Sequence, residues 1–113
     1  MRLTKEIKSR LIKAIDREAQ WHLTEAKRLQ RLGSIIGPWR ESGAASGYHE
    51  VERYLEKARY LTEKGLAALT NKGSERIEYS MSDKDEESKA YNIAMAFAID
   101  DAIIILRAEM ENG

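Results

Sequence analysis

Cysteine is absent from this 113-residue chain, so neither a disulfide framework nor thiolate chemistry is available to it. Proline occurs once, which leaves long segments free of the residue that breaks a helical ladder. With 34% charged and 42% hydrophobic residues, the composition predicts an ordered, helix-rich globule. No apolar run reaches the roughly 18 residues that span a bilayer, and the opening MRLTKEIKSRL lacks an apolar segment of signal-peptide length. These absences point to a single domain over 1–113, soluble and cytoplasmic, with no membrane partner.

Net charge is also lacking, but only in the sum. Residues 1–40 carry ten Lys/Arg against four Asp/Glu, and residues 41–113 carry nine against fifteen. A basic front part of this kind can attract an acidic partner or nucleic acid, and can equally pair with the chain's own acidic remainder.

What is present is helical periodicity. From Thr4 to Leu32, apolar residues including Leu3, Ile7, Leu11, Ile15, Ala26 and Leu29 recur at three- and four-residue steps, predicting a first helix that ends at Gly33 and Gly37-Pro38. The stretch SIIGPWRESGAASGYHE, residues 34 to 50, concentrates Gly, Ser and the only proline, and reads as a long connection. Val51, Tyr54, Leu55, Ala58, Leu61, Ala68 and Leu69 predict a second helix from about Tyr48 to Asn71. Between Ser74 and Ser82 the pattern changes to period two, with Ile77, Tyr79 and Met81 alternating with polar residues as in a half-buried strand. Such a strand would pair with Ile35-Ile36, pair with a second copy of itself, or not form. Ser82, followed by Asp85 and Glu86, reads as the start of a third helix running to about Met110. Its middle, AYNIAMAFAIDDAIIIL, is apolar nearly all round and needs cover on more than one side, which predicts that it also meets a second subunit. The expected fold is therefore all-α: a helical hairpin plus a central apolar third helix, with room for one short β-pairing, in an oligomeric bundle.

Candidate sites follow from the same pattern. In the 33–50 connection, Ser42, Ser46 and Gly47 precede a helix start whose free amides could hold an anion; Arg40 adds a cationic group, His49 is a further candidate ligand contact, and Trp39 and Tyr48 could stack on a ring. The Gly-Lys-Ser/Thr ending of a Walker motif is missing, and the simpler account is an ordinary helix connection with Trp39 folded over the core. Glu18, His22 and Glu25 project from one side of the first helix; their spacing does not match a di-metal helix, and they read as a polar layer. HEVER, from His49, has Arg53 where a zinc-protease helix needs its second His. DKDEES, from Asp83, lacks the glycine and bidentate glutamate of a calcium loop. On the outer face of the first helix, Arg10, Lys13, Arg17, Lys27, Arg28 and Arg31 form a basic stripe suited to phosphate backbones or to solvent.

No complete nucleophile, acid–base or metal set emerges, and no cofactor is expected. The leading expectation is a non-enzymatic binding or regulatory protein, a homo-oligomer through its third helix, contacting a protein or small anionic ligand. The alternatives are a protein that sequesters a nucleotide or signalling ligand at a subunit interface, and a nucleic-acid binder using the basic stripe.

Overall fold

Thr4 caps the first helix, its hydroxyl accepting a hydrogen bond from the Ile7 amide at 3.2 Å. From there α1 (Lys5–Arg31) runs to Gly33, whose φ of 82° is the left-handed conformation that glycine adopts without a Cβ penalty. The Ser34 amide donates to Leu29 O and the Gly33 amide to Gln30 O, a Schellman closure at the position expected from the sequence. The chain then forms α2 (Ile36–Lys57), α3 (Glu63–Ser82) and α4 (Glu86–Asn112). The computed structural model describes residues 1–112.

Among the described residues four helices replace the expected three, and the differences have local causes. Residues 34–50 are not a loop: α2 starts at Ile36 and passes through all of ESGAASG. Pro38 lies in its first turn, where no intrahelical amide is required, and Ser34 Oγ accepts from the Gly37 amide at 3.1 Å. The glycines inside the helix serve packing. A Cβ on Gly43 would lie 2.1 Å from Tyr91 O, and one on Gly47 would lie 2.4 Å from Met95 O. Only bare backbone lets α2 and α4 approach this closely.

The expected second helix is two helices. Ala58–Thr62 leaves helical conformation, with the Leu3 amide bonded to Arg59 O and the Leu61 amide to Met1 O around an isolated antiparallel bridge between Arg2 and Tyr60. Thr62 then caps α3, accepting from the Gly65 amide at 3.0 Å. The bridge involves neither of the segments considered for a strand pairing: Ile36 opens α2, and 74–82 is the last part of α3, so no strand forms there. The buried series there is Leu66, Leu69, Gly73 and Ser80, at helical spacing, while Tyr79 and Met81 are exposed. Asp85, rather than Ser82, starts the final helix: its carboxylate accepts from the Glu87 amide at 3.1 Å.

Pair contacts give the topology. Lys8 reaches Glu56, and His22 reaches Glu41, so α1 and α2 are antiparallel. Gly43 meets Tyr91 and Gly47 meets Met95, so α2 and α4 are parallel; Arg107 pairs with Glu63, so α3 runs against α4. The close α2/α4 pair is central, α1 packs on α2, and α3 packs on α4. Ile15, Val51, Leu55, Leu61, Leu66, Leu69, Ile99 and Leu106 are fully buried, each contributing about 1.5–3 kcal/mol of burial. Between α1 and α4 contact is slight, and Arg10 is paired with Glu109 there.

Candidate functional site

The gap between α1 and α4 opens into a groove of about 580 Å³ with α2 as its floor. One wall is apolar, formed by Ala90, Ile93, Ala94 and Phe97 of α4. The other part is polar. Tyr48 lies buried on the floor and donates to Asp101 Oδ2 at 2.6 Å, while its ring stacks on His22 at 5.6 Å between centroids. Burial first, and then the Asp101 carboxylate, hold the Tyr48 phenol well above its ordinary range, so it stays protonated and donating. His22 Nδ1 bonds Glu41, fixing the imidazole between the two helices. Arg40 stands at the groove, exposed and without a carboxylate partner among the described residues.

Helicity separates the seven residues that the sequence grouped in one loop. Arg40 and Tyr48 line the groove. Trp39 is partly exposed beside Asp85 and Tyr91, near the start of α4. Ser42 lies in a shallow depression with Gln30 and Pro38. Ser46 Oγ is hydrogen-bonded to Tyr91 Oη at 2.5 Å, and Gly47 is buried against α4. The amides of Ser42–Gly47 lie in the middle of α2 and are spent on its own ladder, so they form no anion cradle.

His49 turns away from the groove toward a second cluster. Its Nε2 is 3.6 Å from Glu52 Oε2, one turn along α2, and 3.8 Å from Asp16 Oδ1 on α1. Glu52 is buried. Burial, followed by the neighbouring Asp16 charge, pushes its carboxyl up to about 7.

The polar trio of α1 is divided. His22 takes Glu41, Glu25 takes Arg28, and Glu18 is exposed. Along the basic stripe, Arg10 is paired with Glu109 and Arg28 with Glu25, whereas Lys13, Arg17, Lys27 and Arg31 are exposed and unpaired among the described residues.

The sequence did not single out Glu41, Phe97, Asp16 or Glu52. Glu52 was within reach, since His49 and Glu52 are three apart on a helix. Asp16 was not, because it joins them only across the α1/α2 contact.

No protein-family model matches the chain, and no curated protein or solved structure matches it significantly. No helix among the described residues is long and apolar enough to cross a membrane.

Proposed function

We propose that the protein is a non-enzymatic, cytoplasmic binding protein that works as a homo-oligomer, its chains meeting through α4. One observation carries this reading. Ile93, Phe97 and Ile104 are 37%, 66% and 67% exposed, and their four- and seven-residue spacing sets them in one stripe along α4. The chain's own helices cover the opposite side of α4, and on the free side exposed Asp100 lies between Phe97 and Ile104, with Asp101 and Arg107 flanking them. Three large apolar side chains exposed along one side of a helix in a small protein suit an interaction site, and a stripe of one helix can be self-complementary across a two-fold axis. A second copy is therefore the partner this face fits best.

Light scattering across a concentration series tests it. Assembly is expected in the native protein, and monomers are expected for Phe97→Glu combined with Ile104→Glu, whose exposed positions leave the fold intact. A native protein that stays monomeric throughout the series overturns the reading.

A second reading, in which the groove sequesters a nucleotide or other anionic ring compound, is favoured by Arg40, a free cation beside Phe97 and Tyr48. Ligand binding would raise Tm for a member of a nucleotide panel, and Arg40→Ala would remove the rise. A flat response across the panel counts against it. Nucleic-acid binding ranks lower, because two of the six stripe cations are already neutralised by Glu25 and Glu109.

A further inference from the structure

We propose that Asp16, His49 and Glu52 form a binding site for one divalent transition-metal ion of the zinc class, bridging α1 and α2 on a side of α2 separate from the groove. The three donors come from two helices and converge. Their ligand atoms all lie within 4.8 Å of one another, with His49 Nε2 at 3.6 and 3.8 Å from the two carboxylates. Donors at about 2.0–2.1 Å around a tetrahedral ion are about 3.3 Å apart, so a small side-chain adjustment closes the set.

An independent observation points to a cation. Glu52 is 8% exposed, and the groups that meet its carboxylate are His49 and a second carboxylate, Asp16, with no Lys or Arg in ion-pair contact among the described residues. Arg53, the neighbouring cation on α2, is bonded to Glu50 instead. Holding a buried carboxylate beside a second one without a full counter-charge is costly, and an ion held among Asp16, His49 and Glu52 removes that cost. Binding displaces the proton held at Glu52, and two carboxylates with a neutral imidazole then supply a charge of minus two, which cancels a dication. The imidazole nitrogen favours zinc or its cobalt substitute over magnesium, calcium and manganese. Asp16 and His49 are 45% and 36% exposed at their side chains, so the site faces solvent and leaves coordination positions for water. The HEVER motif lacks the second histidine of a zinc-protease helix; here the third ligand would come from α1.

Cobalt(II) titration of the EDTA-treated protein, read by visible absorption, tests the proposal, together with zinc calorimetry. One ion per chain is expected, with cobalt bands displaced by zinc. Glu52→Gln, which keeps the side-chain shape, and His49→Ala are each expected to weaken binding by more than about tenfold, since even outer-shell partners of a metal are worth that much. His22→Ala removes the other histidine and is expected to leave binding unchanged. Circular dichroism melting establishes that each variant is folded. The proposal is overturned if the native protein binds no stoichiometric metal, if binding survives in either site variant, or if it is lost with His22→Ala.

Discussion

At the scale of single residues, the glycines separate two uses of the same side chain. A Cβ at Gly47 would meet Met95 O at 2.4 Å and Ala98 Cβ at 2.7 Å, neither of which can move without shifting α4. Gly47→Ala is expected to destabilise by about 1–3 kcal/mol despite its better helix propensity. At Gly73, also within a helix, the nearest atoms lie at 3.7 to 3.9 Å, an ordinary contact distance. Gly73→Ala is therefore expected to stabilise by about 0.5–1 kcal/mol. Urea denaturation of the two variants, with opposite displacements of the midpoint, checks both. Glu50 adds a pH dependence. Its hydrogen bonds to Lys72 and then Arg53 hold its carboxyl below the ordinary glutamate value. A depressed folded-state value contributes stability above the unfolded value, and that contribution is lost as pH falls through the folded one. Glu50→Gln is expected to cost up to about 1 kcal/mol at neutral pH, and the gap from the native protein is expected to close in strong acid. Equal gaps at both pH values would show that the ion pairs contribute nothing.

At the scale of elements, the junctions explain where the periodicity of the sequence misleads. Val51 and Leu55 belong to α2, Leu66 and Leu69 to α3, yet their spacing runs on as though one helix carried all four. The break between them is held by the Thr62 cap, by Leu61 buried in the core, and by the bridge to the N-terminal segment. Thr62→Ala is expected to cost about 1 kcal/mol and to raise amide hydrogen exchange in the first turn of α3 ahead of the rest of that helix. An unchanged Tm with unchanged exchange at Gly65 would remove the cap from the account. The first helix was legible from end to end, because Thr4, Gly33 and the apolar spacing act within a few residues of one another. In 34–50 a local rule reached the wrong result: glycine and proline discourage helices in isolation, but here the proline stands in a first turn and two glycines are paid for by the α2/α4 contact.

At the scale of the whole molecule, α4 is the organising element, covered by α2 on one side and by α3 on another, with Ile93, Phe97 and Ile104 left bare. If a second copy covers that stripe, folding and association are linked by mass action, and Tm is expected to rise with protein concentration. The Phe97→Glu/Ile104→Glu variant is expected to melt at one temperature at every concentration. A native Tm equally insensitive to concentration would mean that the stripe stays in water.

The amino-acid order by itself determined that the chain is helical, where the first helix starts and stops, and that the last helix carries more apolar surface than one side of a helix can bury. These properties depend on residues a few positions apart. Tertiary structure alone decided that the glycine-rich stretch is helical, that the middle of the chain divides at Ala58–Thr62, and which charged groups meet. His22 with Glu41, Tyr48 with Asp101, and Asp16 with His49 and Glu52 each join helices distant in sequence. No spacing rule reaches across a helix–helix contact, because the register there is set by how closely two backbones can approach, and Gly43 and Gly47 control that approach only once α4 lies against them.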